Sequence, residues 1–196
     1  MTSTDPLAPW TILSSAPAAA FPPWLAVELQ HVVTPSGKDI PELVLRTCRD
    51  SVCIVAVDER GDCRMVRQRK HAIGRVLLEF PAGYLELGEQ PLDCAMRELR
   101  EETGCIAGEW LYLGAAYREP HYSPTVMHFF LARRLTRLGD PAPDLTEELA
   151  AVRVGVQAIP GLIAAGDLPS VYCQAAWALV EPYLREHTSN GNRPAR

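Results

Sequence analysis

The clearest pattern in the chain is a series of short apolar or alternating segments that are bounded by turn residues. Residues 24–33 and 42–46 flank a turn at 35–38, and this arrangement predicts a β-hairpin. Residues 51–57 form a nearly continuous apolar run, which is typical of a strand that is buried on both faces. The more polar run at 64–69 predicts a strand that returns beside it.

The rest of the chain combines more strands with helices. Strands are predicted at 76–80, 110–114, 126–132 and 152–156. Helices are predicted at 159–165 and 170–187. In the longer helix, apolar side chains at helical spacing are expected to face inward: Ala176, Leu179, Val180, Tyr183 and Leu184. Strands in this order with few helices indicate an α/β or α+β fold.

The most informative stretch is 83–105, which begins as a glycine-punctuated loop and continues as a charged helix. Pro91 suits the first helical turn because it lacks an N–H that would have no partner there. Gly104 suits the C-cap because glycine adopts the left-handed conformation without a Cβ penalty. One face of this helix is expected to contact a core through Leu92, Ala95 or Met96, and Leu99.

Three glutamates of this helix lie on what we take to be the face opposite the core. Glu98 precedes Glu101 by three residues and Glu102 by four, so their carboxylates can project from one side. Like charges at this spacing destabilise a helix by roughly 0.2–0.5 kcal/mol per pair. Such a cluster suits a hard divalent cation such as Mg²⁺, which prefers oxygen ligands. The alternative is an ordinary solvated face with ion pairs to neighbouring arginines.

Composition limits the classes of function. The net charge is −5, so the chain lacks the basic footprint of a nucleic-acid-binding protein. The six cysteines form no C-x-x-C pair, which indicates thiols in a reducing compartment, and we expect a cytoplasmic protein. Residues 6–27 carry no charge, but prolines interrupt them, so extended chain is expected and not a membrane segment.

The stretch also resembles a known sequence motif, the Nudix box G-x5-E-x7-R-E-U-x-E-E-x-G-U, where U is aliphatic. The matching residues are Gly83, Glu89, Arg97, Glu98, Leu99, Glu101, Glu102 and Gly104. Cys105 replaces the final aliphatic residue. The chain is thus similar to the Nudix hydrolase superfamily.

This resemblance implies a fold and a domain organisation. The expected fold is an α/β (α+β) Nudix sandwich, in which a mixed β-sheet lies between helices and carries the box as a loop–helix–loop. The expected segments are a flexible N-terminus at 1–9, a small N-terminal β-subdomain for dimerisation at 10–49, the Nudix hydrolase domain at 50–187 and a flexible tail at 188–196.

The resemblance also assigns roles within the box. Glu98, Glu101 and Glu102 would bind metal together with the backbone carbonyl of Ala82, and Mg²⁺ is the expected ion, with Mn²⁺ as a substitute. Gly83, Glu89, Arg97 and Gly104 would be structural, with Arg97 fixing the loop through a box carboxylate. The catalytic candidates are Glu101 and a glutamate of a late loop, either Glu147 or Glu148, with a slight preference for Glu148.

Residues outside the box are similar to the ADP-ribose pyrophosphatase branch. The run L-E-F-P-A-G at 78–83 is typical of it, and Pro120 follows Gly104 at the spacing of a branch proline. The substrate-binding candidates are Arg67, Lys70, Glu79 and Pro120. Two positions depart from the branch, since it usually has arginine in place of Lys70 and an acidic residue near Pro124.

The expected activity is metal-dependent hydrolysis of the pyrophosphate bond of a nucleoside diphosphate sugar, with ADP-ribose as the first candidate and AMP and ribose 5-phosphate as products. The alternatives are another diphosphate, such as GDP-mannose or a dinucleotide, and a non-catalytic nucleotide-binding regulator with the same fold. The expected partners are this small molecule and a second copy of the chain in a homodimer, with no nucleic acid and no membrane.

Overall fold

The computed structural model describes residues 5, 7–143 and 148–190. In chain order, its elements are β1 (Thr11–Phe21), β2 (Leu25–Val33), β3 (Asp39–Thr47), β4 (Ser51–Val57), β5 (Asp62–Lys70), β6 (Arg75–Glu79), β7 (Ala82–Tyr84), α1 (Pro91–Thr103), β8 (Cys105–Tyr117), β9 (Val126–Arg137), β10 (Leu149–Gly155), α2 (Ile159–Ala165) and α3 (Val171–Asn190). Among the helices in these residues, none is long and apolar enough to cross a bilayer.

The chain divides into two compact units. The first contains the residues up to Asp50 together with Tyr117–Val126, and the second contains Ser51–Ala116 and the residues from Met127 onward. The predicted domain boundaries and flexible ends remain predictions, because both ends of the chain lie partly outside the described residues.

The first unit is built on a three-stranded antiparallel sheet in the order β1-β2-β3. Ala26 of β2 pairs with Ala20 of β1 on one side and with Thr47 of β3 on the other, so β2 is the central strand. The predicted hairpin is therefore β2–β3. The segment predicted as extended chain adds β1, whose side chains are almost all exposed.

The second unit contains a seven-stranded sheet with the path β10-β5-β4-β9-β8, to which β6 adds on β5 and β7 on β4. The sheet is mixed, because β4 runs parallel to β9 but antiparallel to β5 and β7. Every residue of β4 is buried, as its apolar run predicts. This burial requires that both faces of the sheet are covered.

Helices provide that cover on the two faces. Successive side chains of a strand point to opposite faces. Ile54 of β4 belongs to a core cluster with Leu99 of α1, whereas its neighbour Val55 belongs to a cluster with Ile159 of α2 and Val180 of α3. The predicted Nudix sandwich, a mixed sheet between helices, is confirmed.

The buried face of α1 differs from the prediction. Ala95 and Leu99 are buried, but Leu92 and Met96 are 40% and 47% exposed. Cys94 takes their place in the core. Of the alternatives Ala95 and Met96 the structure buries Ala95, and the buried face of this helix is rotated away from Leu92 and Met96.

The helix α3 shows a similar shift. Its buried face follows positions three and four residues apart: Cys173, Ala176, Trp177, Val180 and the partly buried Leu184. Leu179 and Tyr183 lie off this face and are 37% and 41% exposed, so their predicted inward orientation is wrong. The register is set by Cys173 and Trp177, which the prediction left out.

Strand β8 is much longer than the predicted segment 110–114. It lies at one end of the strand path and is largely exposed along its length. Gly108 and Gly114 also interrupt its alternation of apolar and polar residues. A strand that is neither buried nor regularly alternating carries little of the pattern on which a sequence-based prediction depends.

We predict that Gly104→Ala destabilises the protein by more than about 2 kcal/mol. Gly104 has φ +69°, which costs a residue with a Cβ roughly 1–2 kcal/mol. A Cβ here would also collide with the carbonyl oxygen of Gly139. The measurement is the free energy of unfolding in urea.

The matched control is Gly166→Ala at the C-cap of α2. Gly166 has φ +78°, but a Cβ there meets no atom within 4 Å. We expect Gly166→Ala to lower the free energy of unfolding only by the conformational cost of a positive φ, roughly 1–2 kcal/mol. An equal decrease in the free energy of unfolding for both variants would show that the collision with Gly139 does not destabilise Gly104→Ala.

Candidate active site

The last three turns of α1 place two carboxylates in a buried position. Pro91 occupies the first turn, and Gly104 ends the helix in the left-handed conformation, with its N–H donating to the carbonyl of Arg100 over 2.8 Å. Glu98 and Glu102, four residues apart, are only 6% and 1% exposed. The solvated face considered from the sequence is therefore wrong for these two side chains.

The strand β7 lies directly against these carboxylates. The backbone N–H of Ala82 donates to Oε2 of Glu102 over 3.0 Å. A Cβ on Gly83 would overlap the carboxyl group of Glu98. Gly83 therefore allows the close approach of strand and helix. Because its φ is not positive, a glycine is needed here for space and not for an unusual backbone conformation.

Arg97 connects the loop before the helix to the helix itself. Its Nε and Nη2 each donate to Glu89 over 3.0 Å, in a bidentate pair, and Nη2 also donates to the carbonyl of Tyr84 over 3.0 Å. The guanidinium holds the pKa of the Glu89 carboxyl below its usual range. Glu89 also accepts a hydrogen bond from the N–H of Glu86 over 2.8 Å, so this carboxylate joins the loop backbone to Arg97 of the helix.

The remaining guanidinium nitrogen faces the box glutamates. Nη1 of Arg97 lies 2.7 Å from Oε1 of Glu98 and 3.1 Å from Oε2 of Glu101. The Glu101 side chain is 25% exposed, so it is the most accessible of the three metal candidates. Arg97 thus offsets part of the negative charge that α1 concentrates on this face.

The donor set suits a hard divalent cation. Buried carboxylate oxygens need a compensating cation or several hydrogen bonds, and Mg²⁺-type ions take oxygen ligands. Among residues 5, 7–143 and 148–190, no group of three His, Cys, Asp or Glu side chains is poised to hold a metal ion. The preformed part is the pair Glu98 and Glu102 beside Ala82.

One of the two late-loop candidates, Glu148, directly precedes β10. Glu148 is exposed, and its carbonyl accepts a bond of 3.4 Å from the N–H of Arg69 at the end of β5. Arg67 and Glu148 line the same surface depression. Glu147 lies outside the described residues, and Pro120 belongs to the first unit.

The backbone after β9 is attached to the end of α1. The N–H of Leu138 donates to the carbonyl of Gly104 over 2.8 Å, and the N–H of Ala142 donates to the carbonyl of Glu101 over 2.7 Å. The segment that leads toward Glu148 is therefore bound to the helix that carries the carboxylates.

Glu79 and Lys70 lie together at the ends of β6 and β5. Nζ of Lys70 is 2.7 Å from Oε2 of Glu79. Two neighbours of Glu79 were missed from the sequence: Ser170, whose hydroxyl donates to its carboxylate, and Tyr172, which lies near the same group. The contact of Ser170 with Glu79 could not be predicted, because a serine before a helix indicates an N-cap and not a bond to a residue on another element.

Comparison with known proteins places this geometry in a family. A model of the NUDIX domain matches residues 47–171, which is more than half of the chain. The ADP-ribose pyrophosphatase of Bacillus subtilis is 36% identical over 110 residues, covering 56% of this chain and 59% of that protein. The ADP-ribose pyrophosphatase of Mycobacterium tuberculosis is 42% identical over 92 residues, covering 46% and 44%. The matches thus span less than two thirds of these relatives' length.

A solved structure agrees over nearly the whole length. A crystal structure titled as that of an ADP compounds hydrolase covers 94% of this chain and 98% of that one, with a TM-score of 0.80 and 23% identity. At this identity, the likeness concerns the fold. The family match, the fold and the residues of the box agree, and the chain belongs to the Nudix family.

Proposed function

We propose that the protein hydrolyses the pyrophosphate bond of a nucleoside diphosphate sugar, with ADP-ribose as the first candidate and AMP and ribose 5-phosphate as products. The observation that carries this proposal is the buried pair Glu98 and Glu102 against Ala82 and Gly83. Further support comes from the relatives named ADP-ribose pyrophosphatase, which match the segment that contains these residues.

Nudix hydrolases generally use divalent metal ions, and here Mg²⁺ is the first candidate, with Mn²⁺ as a substitute. Glu98 and Glu102 would hold the ion, together with the carbonyl of Ala82 and with Glu101, which has the most exposed of these carboxylates. When bound, the ion supplies charge stabilisation for the phosphoryl oxygens. Glu89 and Arg97 keep the loop and the helix in one geometry.

The other residues of the site bind the substrate and orient water. Lys70 and Arg67 supply positive charge for a diphosphate, which a site rich in carboxylates otherwise repels. Glu101 and Glu148 are accessible enough to accept a proton from an attacking water, and Glu147 is the other candidate base. Pro120 remains a proposed substrate contact because of its spacing from Gly104.

We also propose a cytoplasmic homodimer formed through the first unit. Its support is the number of large apolar side chains that this unit leaves exposed: Trp10, Ile12, Leu13, Phe21, Trp24 and Val44. A single copy that exposes such a surface on a small sheet is stabilised when a second copy covers it. The acidic net charge favours this partner over nucleic acid.

The substrate is tested by a hydrolysis screen with Mg²⁺ and then Mn²⁺. The compounds are ADP-ribose, GDP-mannose, dinucleotide polyphosphates and nucleoside triphosphates, and the readout is phosphate released by a phosphatase that attacks only the monoester products. We expect ADP-ribose to be preferred. A preference for GDP-mannose or a dinucleotide refutes the ADP-ribose assignment, and no turnover with either ion favours a non-catalytic nucleotide-binding regulator.

We predict that Glu102→Gln lowers kcat by about a hundredfold or more, because it removes a negative charge from the metal-binding face. The uncharged amide is isosteric, so the fold should be retained, which circular dichroism checks. Glu109→Gln is the matched control, since Glu109 is an exposed residue of β8 outside the site. Turnover of Glu102→Gln within a few-fold of the parent would remove Glu102 from the proposed ligands.

The dimer is tested by light scattering coupled to size exclusion. We expect the parent to have the mass of two chains at micromolar concentration and Ile12→Asp to shift toward the monomer, because a charge would be buried at the interface. Leu138→Asp is the control, since Leu138 is similarly exposed but belongs to the second unit. A monomeric parent contradicts the proposal.

A further inference from the structure

The carboxylate of Glu79 is almost completely buried although it lies three residues before Ala82. Glu79 is only 2% exposed. A substrate or a metal ion would have to displace its surroundings to reach it. Burying a carboxylate is unfavourable unless a cation and hydrogen bonds compensate for its charge. The groups around Glu79 therefore indicate its role.

The neighbours of Glu79 come from two different elements, the start of α3 and the end of β5. Ser170, which precedes α3, donates its hydroxyl to Oε1 of Glu79. Tyr172, in the first turn of α3, lies near the same carboxylate, and burial together with nearby charges that include Glu79 raises the pKa of its hydroxyl. On the other side, the ammonium of Lys70 lies 2.7 Å from Oε2. The start of α3 therefore holds Glu79, and Glu79 faces Lys70.

Lys70 differs from Glu79 in its accessibility. Its side chain is 33% exposed, compared with 3% for that of Glu79. Its ammonium also donates to the side-chain oxygen of Gln68. An ammonium group can donate three hydrogen bonds, and Lys70 donates one to Gln68 and forms an ion pair with Glu79, so it retains the capacity to bind a further acceptor.

We propose that Glu79 is a positioning residue: anchored by Ser170 and flanked by Tyr172, it holds the ammonium of Lys70 where that group binds a phosphate oxygen of the substrate. This inference rests on the proposed function for the identity of the substrate. It replaces the expectation that Glu79 itself contacts the substrate.

The physical need follows from the nature of lysine. Its flexible side chain carries a compact charge and lacks the rigid fork of arginine, so its position must be set by neighbouring groups. Gln68 and Glu79 supply two such contacts. Because Glu79 is itself bound by Ser170, the position of the ammonium is set by the fold of the second unit, before substrate arrives.

The test is a double-mutant cycle with Glu79→Gln, Lys70→Met and the combination of both. We expect Glu79→Gln alone to raise the KM for ADP-ribose about tenfold, while kcat changes less than threefold. In the Lys70→Met background, the same substitution should have no further effect on KM, because a residue that acts through another has nothing left to position.

Two further variants test the anchor. Ser170→Ala and Tyr172→Phe should each raise KM in the same direction by a smaller factor and leave the Mg²⁺ concentration for half-maximal rate unchanged. Tyr183→Phe is the matched control, because Tyr183 lies on the exposed side of the same helix. Unchanged KM values for both anchor variants would overturn the role of Ser170 and Tyr172.

Other results overturn the proposal as a whole. A rise in the Mg²⁺ requirement of Glu79→Gln would make Glu79 a metal ligand. Equal effects of Glu79→Gln in both backgrounds would make it act independently of Lys70. If any variant unfolds, seen as lost cooperativity in thermal melting, Glu79→Asp replaces Glu79→Gln, and a KM that stays at the parent value also overturns the proposal.

A second readout separates this proposal from the proposed function. The same proteins are titrated calorimetrically with inorganic pyrophosphate, which requires neither the nucleoside nor turnover. A parent that hydrolyses nothing in the screen refutes the proposed function. The positioning role is nevertheless supported if Glu79→Gln weakens pyrophosphate binding only when Lys70 is present, and it is overturned if the parent does not bind pyrophosphate.

Discussion

The site depends on one constraint, the burial of two carboxylates between a helix and a strand. Glu98 and Glu102 can lie side by side on α1 only if the facing backbone comes close enough to bond with them or to leave them room. Ala82 provides an N–H for Glu102, and Gly83 provides the space for Glu98. Everything else in the box keeps this pair of contacts in place.

Arg97 illustrates how the box keeps them in place. Burial of acidic groups is unfavourable without compensation, and one guanidinium bonds to Glu89, Glu98 and Glu101. Because it binds the loop and the helix at once, the same side chain compensates the buried negative charge and fixes the loop against the helix. A lysine here could neutralise charge, but it could not reproduce the bidentate geometry.

Much of this could be predicted from the sequence, because local rules apply to it. Pro91 and Gly104 mark the ends of α1 by their backbone preferences, and the apolar run of β4 indicates burial on both faces. Prediction failed where the outcome depends on distant packing. The inward face of α3 depends on where the sheet lies, so Leu179 and Tyr183 were misplaced.

The bond between Ser170 and Glu79 shows the same limit at the site. The two residues are far apart in the chain, and nothing in the spacing of either indicates the other. A serine before a helix usually serves that helix, and here the fold directs its hydroxyl elsewhere. Motifs indicate contacts within one element or one loop, whereas this contact forms only once the start of α3 has packed against the end of β6.

The backbone bonds from Leu138 and Ala142 to the end of α1 have a consequence for how such a chain can vary. They fix the path of residues 138–142 relative to the end of the helix. An added or deleted residue within this short stretch would break at least one of these bonds. Changes in chain length are therefore expected to be least tolerated here, directly before the segment that leads to Glu148.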